Sequence, residues 1–287
     1  MNTTSAASAV RLQDGWFAVK RLRGHIFAIS EPLYCQNNFS YLVVGSERAL
    51  MIDAGASQTH DLSKVVEALT TRPYAVLPTH LHYDHLGGIA YFREIWLADT
   101  PVLAEFQEAN GRYLVPLSYT LGGSEGFHLP PLTPSRLVKP GEVIDLGGVR
   151  LEVILAPGHM PDEIVLFDRE DNILFTGDFL YPSGLYCDDL QAYAESADYL
   201  LGIVDAATLL LGAHPHKTAP EEVPAASFAD LRDLKTFFTA RANKAAVPLQ
   251  EPLNRERFQA ATRYRVNDRI TFLEDIIWAD GTPYKNR

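Results

Sequence analysis

The stretch His80-Leu81-His82-Tyr83-Asp84-His85 gathers three imidazoles and one carboxylate within six residues. It follows Tyr74-Ala75-Val76-Leu77, a short apolar run that reads as a buried strand, and precedes Leu86 to Phe92, which reads as a helix. In extended backbone, side chains two apart share a face, so His80 and His82 project together. Asp84 and His85 follow where the chain turns into the helix. Packing gives no reason for such a cluster, because each imidazole would be desolvated beside another without compensation. Zinc takes N and O donors of this kind, and two pairs can serve two ions. Gly87 and Gly88 let the backbone pack closely behind the cluster.

Composition narrows what the metal can be and do. The chain has 287 residues and a 47% hydrophobic fraction, enough for one large α/β domain with a substantial core. Its formal charge of -11 repels phosphate backbones, which argues against nucleic acid as a partner and for a small-molecule substrate. With only two cysteines, Cys35 and Cys187, neither a disulfide framework nor a site of several thiolates can form. Histidines and carboxylates must therefore hold any metal. Met1 to Val10 lacks the basic start and apolar stretch of a secretory signal, and no apolar run approaches the roughly 20 residues needed to cross a bilayer. A cytoplasmic enzyme without membrane association is the expectation, and a homodimer is compatible with it.

Two groups of strand-like runs organise the chain. The first is Trp16-Val19, His25-Ile29, Phe39-Val44 and Ala49-Ile52, followed by a helical stretch from about His60 to Leu69. From about 109 to 140, Pro116, Gly122, Gly123, Gly126, Pro130, Pro131 and Pro134 interrupt any regular element, and this segment reads as a lid. Its Tyr113, Tyr119 and Phe127 could wall an acyl chain or simply stabilise the loop. The second group is Glu142-Leu146, Val149-Ile154, Ile164-Asp168 and Ile173-Thr176, then a helix from about Leu190 to Val204 and a strand at Thr208-Leu211. The rest, with Phe228, Leu231, Leu234, Phe237 and Phe238, has helical spacing. Two sheets each faced by helices predict an α/β four-layer αββα sandwich in a single domain.

Open α/β sheets place chemistry at strand ends, and three strand ends carry a further ligand beside a small residue. Val153-Ile154-Leu155 leads into Ala156-Pro157-Gly158-His159, Leu174-Phe175-Thr176 into Gly177-Asp178, and Leu209-Leu210-Leu211 into Gly212-Ala213-His214. His216 competes for the last position, but His214 lies nearer its strand. His25, His60 and His128 read as ordinary surface or core histidines.

These ordered motifs resemble the metallo-β-lactamase superfamily across most of the chain. The resemblance implies that His80, His82 and His159 hold one metal, that Asp84, His85 and His214 hold a second, and that Asp178 bridges both. It also implies that Asp53, in Met-Ile-Asp-Ala-Gly, supports a ligand from behind. Two zinc ions per chain are the expected cofactor, with iron or manganese as other occupants. The expected chemistry is hydrolysis by a metal-bridging hydroxide, since bound water reaches a pKa of about 7 and the second ion polarises the substrate carbonyl. Asp84 would shuttle the proton to the leaving group.

True β-lactamases of this fold generally lack the carboxylate found at 178, whereas glyoxalase II-like thioesterases, lactonases and many phosphodiesterases carry it. The expected bond is therefore a carboxylic ester, thioester or lactone. Tyr181 matches a tyrosine of lactonase relatives and could donate to an oxyanion, or be a packed aromatic. Met160-Pro161-Asp162-Glu163 departs from the lactonase and glyoxalase II pattern. No basic glutathione-binding motif is evident, and Lys217 and Lys235 read as solvated surface lysines. Other reaction classes on the same scaffold are a mononuclear-iron sulfur dioxygenase and a phosphodiesterase.

Overall fold

The structure, a computed structural model, describes residues 10–13 and 15–284, so the reading of Met1 to Val10 falls almost wholly outside the described residues. Strands β1 (Val10–Leu12), β2 (Phe17–Arg21), β3 (Ile26–Ser30), β4 (Phe39–Val44), β5 (Ala49–Ile52) and β6 (Tyr74–Leu77) form one sheet in chain order. Neighbours are antiparallel up to β5. Helix α1 (Leu62–Leu69) then carries the chain across so that β6 runs parallel to β5. Asp61 caps α1 by accepting the Ser63 amide at 3.1 Å.

Past the short helix α2 (Tyr83–Leu86), β7 (Trp96–Ala98) pairs with β8 (Arg136–Val138), and α3 (Pro101–Glu105) and α4 (Leu117–Thr120) lie between them. The second sheet draws on β9 (Val143–Asp145), β10 (Arg150–Leu155), β11 (Ile164–Asp168) and β12 (Ile173–Gly177). The chain continues through β13 (Gly184–Tyr186), α5 (Leu190–Leu201), β14 (Leu209–Gly212), β15 (Ala225–Ala226), α6 (Phe228–Ala242), β16 (Phe258–Arg265) and β17 (Thr271–Trp278). The spatial order of the second sheet is β15-β14-β12-β11-β10-β9, with β14 parallel to β12 across α5.

The two-residue period of extended backbone sorts the core into three layers. Ile26 and Ala28 of β3 meet Leu151, Val153, Leu166 and Phe175 between the sheets. Phe27 and Ile29, one residue out of step, face the opposite side with Val65, Val66 and Leu86. On the far side of the second sheet, Val165 and Leu174 pack with Tyr193, Leu200, Leu234 and Phe238 of α5 and α6. The αββα sandwich follows, and each fully buried Leu, Ile or Phe contributes about 1.5–3 kcal/mol of transfer free energy. Among the described residues no helix is long and apolar enough to cross a membrane.

Three expectations need correction. The helix expected over Leu86 to Phe92 is instead α2 followed by a single 3-10 turn, Ile89–Tyr91. Its backbone is diverted to the loop after β5: Gly87 N–H donates to Gly55 O at 2.7 Å, Gly88 N–H to Ala54 O at 2.9 Å, and Ala54 N–H to His85 O at 2.8 Å. The 109–140 segment is not devoid of regular structure; it contains α4 and β8, and Tyr113 exchanges backbone hydrogen bonds with Leu132. The helical reading holds for α6 and fails after it, where β16 and β17 form a hairpin that joins β13 in a third sheet.

Candidate metal centre

Five of the seven expected ligands sit where a strand runs out. His80 and His82 follow β6, His159 follows β10, Asp178 is the first residue after β12, and His214 comes two residues after β14. Asp84 and His85 lie within the single turn of α2. The extended backbone of His82 (φ −72°, ψ 151°) aligns it with His80, and their Nε2 and Nδ1 atoms come within 2.9 Å. Gly158, at φ +144°, turns the chain so that His159 enters; a Cβ there would lie 2.4 Å from the Tyr193 Cα.

The donor atoms form two groups. His159 Nε2 lies 3.2 Å from His82 Nδ1, completing a triad of imidazoles with His80. His85 Nε2 and His214 Nε2 lie 4.0 and 3.5 Å from the carboxylate oxygens of Asp84. Asp178 stands between the groups. Its Oδ2 is 3.5 Å from His159 Nε2, while its Oδ1 is 3.5 Å from His85 Nε2 and 3.2 Å from His214 Nε2. All seven side chains are buried. His216 lies outside, bonded to Thr218 Oγ1 at 2.8 Å.

This arrangement fits divalent cations. Among the described residues, His85 Nε2 and Asp178 Oδ1 are buried without a hydrogen-bond partner, a condition that costs about 1–3 kcal/mol per group unless a ligand meets it. Burial and the neighbouring imidazoles hold His80 and His82 well below the usual histidine pKa, and burial takes His159 down to about 4 against the pull of Asp178. Neutral imidazole with a free lone pair is the form that binds metal. Asp178 is held well below the usual carboxylate range: burial opposes ionisation, but His214 and His85 outweigh it.

The supporting contacts are specific. Asp53 Oδ2 lies 3.0 Å from His85 Nδ1, and Asp53 Oδ1 accepts the Thr79 amide at 2.7 Å. The His159 Nδ1 is 3.2 Å from the Tyr186 carbonyl oxygen. Three supporting residues carried no signal in the sequence. Asn38 donates through Nδ2 to both the carbonyl and Oδ2 of Asp84, at 2.9 and 3.0 Å. Glu163 accepts the Asp178 amide at 2.8 Å, and the Tyr284 hydroxyl reaches His159 Nδ1 at 3.1 Å. Asn38 and Tyr284 lie 46 and 125 positions from the residues they serve and Glu163 lies 15 from Asp178, and none belongs to a ligand motif.

Tyr181 is placed beside the centre with its ring edge-on to His214 at 5.0 Å, but its hydroxyl donates to Gly184 O at 2.6 Å. The aromatics of the 109–140 segment are buried; Tyr119 donates to Asp162 Oδ1 at 2.6 Å and Phe127 packs 6.1 Å from Tyr83. Lys217 is exposed, and Lys235 pairs with Asp198 at the surface.

Fold and site together define an αββα sandwich with a paired His/Asp metal centre at its strand ends. A family model described as "Metallo-beta-lactamase superfamily" matches residues 33–242, and the chain belongs to that superfamily. Among its relatives is the "Acyl-coenzyme A thioesterase MBLAC2" of Gallus gallus, 35% identical over 204 residues, which cover 65% of this chain and 73% of that one. The "Probable metallo-hydrolase YqgX" of Bacillus subtilis is 26% identical over 152 residues, covering 53% and 70%. Of solved structures, the metallo-beta-lactamase family protein TTHA1429 from Thermus thermophilus superposes with a TM-score of 0.58 at 19% identity, covering 78% of this chain and 82% of that one. The metallo-beta-lactamase from Pontibacter korlensis does so with 0.57 at 18%, covering 78% and 99%. At these identities the structural likeness speaks for the fold alone.

Proposed function

We propose that the protein is a metal-dependent hydrolase that cleaves a carboxylic ester, thioester or lactone, with an acyl thioester as the favoured substrate. The observation that carries this reading is Asp178, whose two oxygens face two separate ligand groups. The 35% identity to a chain named as an acyl-coenzyme A thioesterase supports the choice of bond. Two divalent ions, zinc foremost, held by His80, His82 and His159 and by Asp84, His85 and His214, with Asp178 shared, would supply an activated water and polarise the scissile carbonyl.

The chain's own groups do the rest. Asn38 fixes one oxygen of Asp84, which leaves this carboxylate oriented to carry a proton towards the leaving thiol or alcohol. Glu163 and Asp53 hold the backbone of Asp178 and the ring of His85. Tyr181 backs His214; direct donation to an oxyanion requires its hydroxyl to leave the Gly184 carbonyl.

The test is metal analysis on the purified protein together with turnover of acyl thioesters, aryl esters, lactones, β-lactams and a phosphodiester on the same preparation. Close to two metals per chain and preferred thioester or ester cleavage are expected. Wild-type turnover in both Asp84→Asn and His159→Ala overturns the reading.

A further inference from the structure

One wall of the centre is built by residues beyond the matched stretch 33–242. Tyr186 is the link. Its carbonyl faces His159 Nδ1, and its ring stacks on Tyr284 at 5.8 Å and packs against Trp278 at 5.8 Å and Phe258 at 6.2 Å. Phe258 and Trp278 stack on each other at 5.3 Å. Over this patch lies the guanidinium of Arg257, 5.5 Å from the ring centres of Tyr186 and Phe258 and 5.9 Å from that of Trp278.

Arg257 is unlike the other half-buried arginines. Arg48, Arg136 and Arg241 pair with Glu94, Glu142 and Glu274, and Arg263 bonds the carbonyls of Glu251 and Pro252. Among the described residues, Arg257 alone of this half-buried group has neither a carboxylate nor a carbonyl acceptor for its side chain. Aromatic faces satisfy the flat side of a guanidinium and leave its in-plane N–H groups to an anion. Burial raises the phenols of Tyr181 and Tyr186 and the thiol of Cys35, and Arg257 opposes the rise in all three, so its charge is felt both at the centre and in the loop leading to Asn38. On a chain of net charge -11, an anionic substrate needs such a local cation.

We propose that Arg257, backed by Tyr186, Phe258 and Trp278, forms a subsite that binds a carboxylate or phosphate of the substrate and so selects anionic acyl compounds for the adjoining metal centre. This rests on the hydrolase reading above.

The test compares metal-loaded full-length protein with Arg257→Gln and Arg257→Lys on three thioesters. S-butyryl-N-acetylcysteamine is neutral, S-glutaryl-N-acetylcysteamine carries its carboxylate on the acyl chain, and S-butyryl-3-mercaptopropionate carries it on the thiol. In Arg257→Gln, kcat/KM for an anionic thioester falls relative to the neutral one by about 10-fold or more, mainly through KM, as expected for a lost charge-assisted hydrogen bond. Arg257→Lys falls between, because the charge remains without the fork. The arm that responds tells which end of the substrate the arginine reads. In parallel, calorimetric titration with glutarate shows weaker binding to Arg257→Gln than to the wild type by a similar factor. Equal losses on all three thioesters, or equal glutarate affinity in the two proteins, overturns the proposal. Should no thioester turn over, the thioester preference falls and the glutarate titration still decides the subsite.

Discussion

Asp53 Oδ2 lies 3.0 Å from His85 Nδ1, which turns the other nitrogen of the ring towards Asp178. Asp53 reaches this position through a left-handed backbone, φ +65°, a conformation that a non-glycine residue adopts at a cost. The contact predicts that Asp53→Ala lowers affinity for the second metal by about 10- to 100-fold, the range found for partners that orient a ligating histidine. Competition with a chromogenic chelator measures it, and unchanged affinity of both ions would refute the role.

His214 and His216 separate in the same experiment. His214→Ala should reduce metal content towards one ion per chain, because its Nε2 is the atom nearest Asp178 Oδ1 in the second group. His216→Ala should leave the content unaltered, since its ring is engaged with Thr218 at the surface. The reverse result would reassign the last ligand.

A methyl group at Gly87 would sit 2.2 Å from the carbonyl carbon of Ala56 and 2.6 Å from the Ser57 nitrogen. These are backbone atoms, held in turn by the carboxylate of Glu31 on the amides of Ala56 and Ser57. Gly87→Ala should destabilise by about 1–3 kcal/mol or more, as overpacking does. Thermal unfolding with and without metal would show a Tm several degrees lower in both states; a Tm equal to wild type speaks against the close approach.

Burial raises the carboxyl of Asp162 to about 6, and the hydrogen bond from Tyr119 only partly opposes it. The folded state therefore holds this proton more tightly than the unfolded chain, whose carboxyl titrates near ~3.9. The associated stability is present in full below about pH 4 and is lost as pH rises to about 6. Asp162→Asn keeps an acceptor for Tyr119 and does not titrate. Urea unfolding should show wild type losing stability relative to this variant between pH 4 and 6, with a constant difference above; a flat difference throughout counts against a raised carboxyl.

The sheets were legible because their strands bury both faces or alternate strictly, so Phe39–Val44, Ala49–Ile52, Tyr74–Leu77 and Ile164–Asp168 coincide with observed strands residue for residue. The hairpin of β16 and β17 was not. β16 is the edge strand of its sheet and buries only Phe258 and Tyr264, which leaves the mixed pattern Phe-Gln-Ala-Ala-Thr-Arg-Tyr-Arg, and the helical period of α6 does not announce where it stops. The helix expected after the histidine cluster failed because its glycines were needed for backbone contact with Ala54 to Ala56 rather than for a ladder.

The order of ligands, the strands that precede them and the acidic balance of the surface are properties of the linear chain, since each arises from residues adjacent in sequence. Local period and local chemistry suffice for those. Only the tertiary structure decided that Asp178 stands between two ligand groups, that Asn38, Asp53 and Glu163 brace them, and that Arg257 lies over the ring whose carbonyl faces His159. Those contacts join residues from 15 positions apart, as for Glu163 and Asp178, to 71, as for Tyr186 and Arg257, and no repeat or spacing encodes them. They exist because two sheets and a C-terminal hairpin, each folded by its own apolar pattern, meet along one edge.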